Sequence, residues 1–296
     1  MAKIDLSIVI ISYNTKNLLQ NCIDSINQSL WKSKIKYEII VIDNNSQDGS
    51  QKLLKKLIKN KKNHLVYHQT GKNLGFGKGN NLAIILAKGK YILLLNSDIV
   101  VLNRSIEKLY YFYLKNEKKV HFLGGKLLNK DLTPQPSVGH FFTLPVVFGT
   151  LFLKGDYWGL TRFSPNKITQ VDWISGACIF TKKILYQKVG GFDENIFMYM
   201  EEVDFLYRAK KFGYNTYFFN QAQFIHYGSG SSAGRTFPIL QVYQGFLYFY
   251  KKHYSFFNLL ILRLLLKIKA LIAYLIGKIR NNNYLLETYE KAFRIS

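Results

Sequence analysis

Acidic and amide side chains in this chain gather where apolar runs stop, and their types suit phosphate, metal and proton chemistry. Asn96-Ser97-Asp98 follows the apolar run 91–95. That run is too short for an ordinary helix and fits a strand buried on both faces. Strand alternation sends Asn96 and Asp98 to one side and Ser97 to the other. A carboxylate at the carboxyl end of a buried parallel strand lies where open α/β sheets bind ligands. Asp98 is a hard anion suited to a divalent cation that carries phosphates. The competing reading is a polar turn capping a helix that starts near Asn103. Asp43 ends the apolar run 37–42 in the same way. It can accept from an imide N–H or a ribose hydroxyl, or with Asp48 it can form the turn into the next helix.

Glu201-Glu202-Val203-Asp204 concentrates acids at the start of a predicted helix. Helical spacing puts Glu201, Asp204 and Arg208 on one face, with Glu202 about a quarter-turn away. Acids in a first turn favour the helix dipole. Their mutual repulsion also raises a pKa, which suits a general base near neutral pH. The loop Gly75-x-Gly77-x-Gly79, with Lys72 and Lys78, can bring backbone close to a diphosphate or can simply open a helix. It is neither the dinucleotide fingerprint nor a P-loop. His226 precedes Gly228-Ser229-Gly230-Ser231. It can serve as a further metal ligand or phosphate contact, or as an ordinary strand-end histidine. Trp173 can offer a flat face to a sugar ring or fill core.

The elements that must position these groups alternate. Runs 6–11, 37–42, 64–68 and 91–95 read as strands, and apolar spacing over 16–29 and 50–58 reads as helices. A helix also opens at the glycine loop. This alternation predicts an α/β fold with a mostly parallel sheet, its polar loops on one edge. Ser12-Tyr13-Asn14 forms the mouth of the first strand. Periodicity fails over 129–170, which predicts a long excursion over the sheet that helps form a second substrate's site. The run 171–180 predicts a strand broken by Gly176, and 215–219 and 224–225 predict two short strands. A nicotinamide oxidoreductase would need its glycine fingerprint where Ser12-Tyr13-Asn14-Thr15 stands.

The chain has 296 residues, 48% of them hydrophobic, so it can bury a full core. A net charge of +23 points to an anionic partner, whether nucleic acid, membrane or phosphorylated substrate, or to a lysine-rich solvated surface. Cys22 and Cys178 lie in apolar patterns and fit buried thiols in a reduced compartment. The apolar run after Met1 is too short for a signal-peptide core, which argues against export. Residues 238–252 predict an aromatic helix. Residues 255–276 are almost wholly apolar apart from Arg263, Lys267 and Lys269. Arg263, Lys267 and Lys278 project onto one stripe of a helix. Such a helix is costly to pass through a membrane and suits the plane of an anionic one, or it packs on the rest of the protein.

With these residues laid out, the chain resembles a family 2 glycosyltransferase of the GT-A fold, in the rhamnosyltransferase-like branch that builds bacterial surface polysaccharides. The likeness rests on Ser7 to Asn14, Val41 to Ser50, Asn73-Leu74-Gly75-Phe76-Gly77, Asn96-Ser97-Asp98, Gly190 to Glu194, Glu201 to Asp204 and His226 to Ser229. It implies a catalytic domain over 1–235 and a membrane-associating helical region over 236–296. It implies donor-binding roles for Ser12, Tyr13, Asn14, Asp43, Asn73, Gly75, Phe76, Gly77, Asn80 and Asn96. Trp173, Gly176 and Arg208 would meet the acceptor, and Asp98 with His226 would hold Mn2+ or Mg2+. Asn96 stands where the family's metal motif usually has its first acid. The family's Glu-Asp base motif is Glu201-Glu202 here. Glu202 matches the base by position, with Glu201 and Asp204 as alternatives. The implied reaction is inverting transfer from a nucleotide-diphosphate sugar to a saccharide acceptor, linked to undecaprenyl diphosphate. The enzyme would sit on the cytoplasmic face of the plasma membrane, with the anionic membrane surface and no nucleic acid as its partner. The rival from another class is a non-catalytic basic protein of the same fold that binds membranes or nucleic acid.

Overall fold

A computed structural model describes residues 3–60, 64–228 and 236–296. The first half alternates β1 (Leu6–Ser12), α1 (Lys16–Ser29), β2 (Tyr37–Asp43), α2 (Ser50–Lys59), β3 (Leu65–Gln69), α3 (Phe76–Leu86) and β4 (Tyr91–Asn96). Then come β5 (Ile99–Val101), α4 (Ser105–Asn116), β6 (Phe122–Leu128), β7 (Val138–Gly139), α5 (Leu144–Phe152), β8 (Arg162–Phe163), β9 (Thr169–Val171), β10 (Trp173–Ile174) and β11 (Cys178–Lys182). The chain finishes with α6 (Lys183–Lys188), α7 (Glu201–Lys211), β12 (Thr216–His226), α8 (Thr236–His253), α9 (Phe256–Ile279) and α10 (Asn283–Ile295).

Among the described residues the main sheet has the order β3-β2-β1-β4-β11-β6-β12-β5, with β9 beside β12. Strands β3, β2, β1 and β4 are parallel, and so are β6 and β12. Strand β11 runs antiparallel between β4 and β6. Alternation explains why the central strands read as unbroken apolar runs. Ile8 and Ile10 of β1, with Leu93 and Leu95 of β4, enter one core under α1, α2 and α4. Val9, Ile92 and Leu94 enter the other core. Each such side chain contributes about 1.5–3 kcal/mol on burial, so both faces must be covered. The register then sets the functional edge. Ser12 pairs with Asp43 and Ile11 with Asn96, so three polar strand ends lie side by side.

Several elements differ from the expected pattern. The run 171–180 divides at Gly176 into β10, in a small sheet with β7 and β8, and β11, in the main sheet. The two short strands expected after Asn215 are one strand, β12. Its register shifts between Phe219 and Gln223, where the polar Asn220 and Gln221 interrupt the apolar pattern. Strand β5 intervenes before α4, so Asn96-Ser97-Asp98 is not that helix's cap. Helix α10 falls within the helical region expected over 236–296, though no apolar spacing singled it out.

The expected boundary at 235/236 adjoins residues 229–235, and Ser229, Gly230 and Ser231 of the histidine motif lie outside the described residues. Beyond it, Tyr243, Phe246, Phe249 and Tyr250 of α8 and Leu262, Leu266 and Ala270 of α9 join the same core as Val9 and Leu94. The opposite face of α9 stays open. Phe257, Leu264, Ile268, Leu271, Leu275 and Ile279 are all exposed. No described helix is long and apolar enough to cross a membrane.

Candidate active site

The carboxyl ends of β1, β2 and β4 border a cleft of about 490 Å³. Tyr13, Asn44, Asn73, Gly75, Phe76 and Asn96 line one part, with Asp98 and His226. Glu201, Glu202, Trp173, Gly176 and Arg162 line another. The sequence reading put Asp43, Asp98 and the Glu201–Asp204 turn around one pocket. Asp98, Glu201 and Glu202 line it directly.

Asp43 stands just behind the lining. Its Oδ1 accepts from the Ser46 N–H at 3.1 Å and from the Ser46 hydroxyl, while its Oδ2 is buried without a hydrogen-bond partner. The neighbouring Asn44 reaches the cleft and donates through Nδ2 to the Gly75 carbonyl at 3.0 Å. Asn73 Oδ1 accepts from the Gly75 N–H at 3.0 Å. Gly75 has φ +79°, and a Cβ there would lie 2.4 Å from the Phe197 carbonyl oxygen. Only glycine fits that position.

Other expected donor contacts are displaced from the cleft. Gly77 faces Phe192, whose Cβ a side chain there would meet at 3.1 Å. Asn80 is buried and returns its Nδ2 to the Phe76 carbonyl within α3. Ser12 Oγ pairs with Thr15 Oγ1, and Asn14 accepts from the Gln47 N–H. None of these four lines the cleft. They shape the loops that do.

Asp98 and His226 meet at the far end of β12. His226 Nε2 lies 3.4 Å from Asp98 Oδ1 and 3.3 Å from Asn96 Nδ2. His226 Nδ1 lies 2.7 Å from Gln135 Oε1, a carbonyl oxygen that can only accept. Gln135 Nε2 in turn donates to Asn129 Oδ1 and to the His226 carbonyl, which fixes that amide's orientation. Nδ1 therefore carries a proton, and in the neutral ring the Nε2 lone pair faces Asp98. Burial pushes the Asp98 carboxyl up, but the hydrogen bond and charge of His226 in its protonated form, with the Gly228 N–H, outweigh it and hold it below the ordinary range. Asn96 Oδ1 is buried without a partner. A carboxylate, an imidazole lone pair and an orphaned amide oxygen form a donor set that fits Mg2+ or Mn2+. Such ions take one or two protein carboxylates and complete their shell with phosphate oxygens and water. Among the described residues no cluster of three or more His, Cys, Asp or Glu forms a full cage.

The acids of α7 divide. Glu201 is buried, and the Oε2 atoms of Glu201 and Glu202 are both buried without partners. Burial raises the Glu201 carboxyl well above the ordinary range, and repulsion from Glu202 adds to it. Burial also raises Glu202, while its own backbone N–H, Arg162 and the Gly176 N–H pull it back. Tyr199 and Met200, immediately before them, both lie in the left-handed region at φ 67° and 73°. That is strain held at the turn carrying the acids. Helix α8 presses on it through Gly245, where a Cβ would come within 2.8 Å of Met200 Cγ.

Asp204 and Arg208 correct the sequence reading. One turn further along α7, Asp204 leaves the cleft lining and is fully buried against α8. Its carboxylate lies 2.7 Å from His253 Nε2, 2.8 Å from Lys252 Nζ and 2.8 Å from Arg208 Nε. It therefore cannot take a proton from an acceptor in the cleft. Arg208 spends its guanidinium on Asp204 and on the carbonyls of Val189 and Gly191, away from any acceptor. Asp204 clamps α7 to α8, and Arg208 ties α7 to the turn 189–191. Trp173 is only 3% exposed. Its Nε1 donates to the His140 carbonyl at 2.9 Å and its ring stacks on Phe142, so it is mainly core with one edge at the cleft. At Gly176 a Cβ would meet the Phe76 ring at 3.2 Å and Glu202 Cβ at 3.8 Å, so the missing side chain lets those two walls approach.

Sequence reasoning missed Arg162, Asp156, Tyr199 and Gln135. Arg162, Asp156 and Gln135 come from the aperiodic 129–170 excursion, which does reach the cleft. Their types carry no periodic signal. Tyr199 sits in an apolar run that reads as core.

A family model described as Glycosyl transferase family 2 matches residues 7–172. The low-salt glycan biosynthesis hexosyltransferase Agl10 of Haloferax volcanii is 27% identical over 214 residues, covering 70% of this chain and 62% of the relative. The match thus spans less than two thirds of that protein. The N-acetylglucosaminyl-diphospho-decaprenol L-rhamnosyltransferase of Mycobacterium tuberculosis is 25% identical, covering 66% of this chain and 67% of the relative. The mannosyltransferase PcManGT of Pyrobaculum calidifontis, solved with GDP-Man and Mn2+, superposes with a TM-score of 0.59 at 14% identity. That superposition covers 99% of this chain and 74% of the other, and it shows a shared GT-A fold. With more than half its length inside the family match, the chain belongs to glycosyl transferase family 2.

Proposed function

We propose that this protein is an inverting, divalent-metal-assisted glycosyltransferase that moves a hexose, rhamnose among the candidates, from a nucleotide-diphosphate sugar to a saccharide hydroxyl in cell-surface polysaccharide synthesis. One observation carries the reading: the Asp98–His226 pair and the Glu201–Glu202 pair line one cleft at the carboxyl ends of the parallel strands. The first pair suits a diphosphate-bound cation and the second suits proton removal. The relatives named as hexosyl- and rhamnosyltransferases support the reaction class.

Asn44, Asn73 and the Gly75 backbone form the wall that receives the donor. A divalent cation bound at Asp98 and His226 would neutralise negative charge on the departing diphosphate. Of the two glutamates, Glu202 ionises first, because Arg162 and the Gly176 N–H favour its charge while Glu201 keeps its proton. Glu202 takes the proton from the acceptor hydroxyl. That oxygen bonds to the anomeric carbon from the face opposite the nucleotide, and the carbon–oxygen bond to the diphosphate breaks. The acceptor is linked to a polyprenyl diphosphate, as the name of the mycobacterial relative's substrate suggests. The apolar outer face of α9, flanked by Arg263, Lys267 and Lys278, supports peripheral binding to the anionic inner face of the plasma membrane.

Anomeric-proton NMR of the product tests the mechanism. Inversion is expected, and retention of the donor's configuration would contradict a single displacement driven by Glu202.

A further inference from the structure

Acids outnumber lysine and arginine in the cleft lining. Asp98, Asp156, Glu201 and Glu202 all line it, yet among the described residues Arg162 is its one lysine or arginine. A cation placed there has to answer to something. Its nearest acid is Asp156, but the contact is loose at 4.0 Å, and the Asp156 carboxylate already accepts from the Thr161 hydroxyl. Arg162 Nη2 donates to the Pro136 carbonyl at 3.2 Å, and the guanidinium lies 5.6 Å from the Trp173 ring centre. Its Nε is buried with no hydrogen-bond partner. The side chain is thus held from behind by a carbonyl and a ring while donor capacity remains unused. That is how an arginine is prepared for a planar or tetrahedral oxyanion.

The surroundings identify which anion. The cation's site at Asp98–His226 provides for the donor's diphosphate, whereas the charge of Arg162 acts on Glu202, where the acceptor must stand. The segment leading to Arg162 is greasy. Leu153, Tyr157, Trp158 and Leu160 are exposed, Tyr157 by 78% and Trp158 by 67%. They follow α5, which packs against α9, the helix that carries the open apolar face. Tyr and Trp beside an apolar surface are the residues that settle at a bilayer interface. An acceptor that combines sugar, phosphate and hydrocarbon chain matches this sequence of surfaces from Glu202 through Arg162 to Trp158.

We propose that Arg162 binds the phosphate of a diphospholipid-linked acceptor, and that the acceptor's hydrocarbon chain leaves the cleft over the turn 153–160. The proposal rests on the glycosyltransferase reading and adds a specificity-determining residue to it. Arg162 distinguishes phosphate-linked acceptors from neutral glycosides.

Two synthetic probes test it by tryptophan fluorescence on the full chain in mild detergent. One is farnesyl-diphospho-N-acetylglucosamine, and the other is the uncharged farnesyl N-acetylglucosaminide. Wild type should bind the diphosphate probe the more tightly. Arg162→Gln should weaken that probe about 10- to 100-fold and the uncharged probe less than about twofold. Trp158→Ser should weaken both probes alike. Equal loss of both probes in Arg162→Gln would overturn the assignment and make Arg162 a structural residue of the wall. Unchanged binding of the diphosphate probe in that variant would also overturn it, leaving the acceptor class intact. Wild type that binds neither probe, while still releasing nucleotide from a nucleotide sugar, would overturn both the assignment and the diphospholipid acceptor but not the transferase reading.

Discussion

His226 Nε2 stands 3.4 Å from Asp98 Oδ1 because Gln135, from a different part of the chain, holds the opposite ring nitrogen at 2.7 Å. Three segments distant in sequence therefore cooperate to aim one lone pair. Gln135→Ala should weaken Mn2+ affinity about 10- to 100-fold, the usual loss when the partner behind a ligating histidine is removed. Electron paramagnetic resonance of Mn2+ in the presence of nucleoside diphosphate reads this directly. Unchanged affinity would mean that His226 does not ligate.

The two glutamates should respond differently to neutralisation. Glu202→Gln should lower kcat by about 10²–10⁴ through loss of the base, while Glu201→Gln, which mimics the protonated partner, should cost less than about tenfold. The rate of the wild type should rise with pH through an apparent pKa above the ordinary glutamate range, because burial raises both carboxyls. Equal loss in both variants would remove the division of labour.

The same burial gives a stability prediction with a definite sign. A raised glutamate favours folding fully below its unfolded value of about 4.3. That contribution is lost as pH rises toward the folded value. Glu201→Gln should therefore be more stable than wild type at neutral pH, by at least about 2 °C in Tm. The margin should shrink as pH is lowered to about 4. A Tm difference that does not vary with pH would contradict the assignment.

Asp204 should behave in the opposite way. Burial pushes its carboxyl up, but His253, Arg208 and Lys252 outweigh burial and hold it low. Its contribution is present above the unfolded value of about 3.9 and is lost as pH falls through the lower folded value. Asp204→Asn leaves Lys252, His253 and Arg208 without their common partner. Denaturant unfolding should show a loss of about 3–5 kcal/mol.

The outer face of α9 should bind membranes. Leu264→Glu and Leu271→Glu alter exposed side chains and should leave folding intact. Each should weaken co-sedimentation with phosphatidylglycerol vesicles about tenfold or more. Binding that persists in the double variant would place the membrane surface elsewhere.

The sheet and its acidic edge were legible because strands buried on both faces leave unmistakable apolar runs. Where such a run stops at Asp43 or at Asn96-Ser97-Asp98, the edge is marked. The acids before Val203 were legible as a cluster, but helical spacing specifies a face without naming what packs on it. Only the cations of α8 show that Asp204 turns away from the cleft, and only the Val189 and Gly191 carbonyls show it for Arg208. Gly77 and Asn80 came from a motif whose members serve the loop's shape as well as the ligand. Arg162 and Gln135 lay in a stretch with no period, where residue type alone says nothing about direction. The bulge at Asn220-Gln221 made one strand look like two.

The most direct measurement is nucleoside-diphosphate release from a panel of nucleotide sugars with Mn2+ present, comparing wild type with Asp98→Asn. At least one nucleotide sugar should be turned over by wild type, with the rate falling about a thousandfold in Asp98→Asn as charge stabilisation of the leaving group is lost. Equal rates in the two proteins, or no release from any member of the panel, would contradict the account.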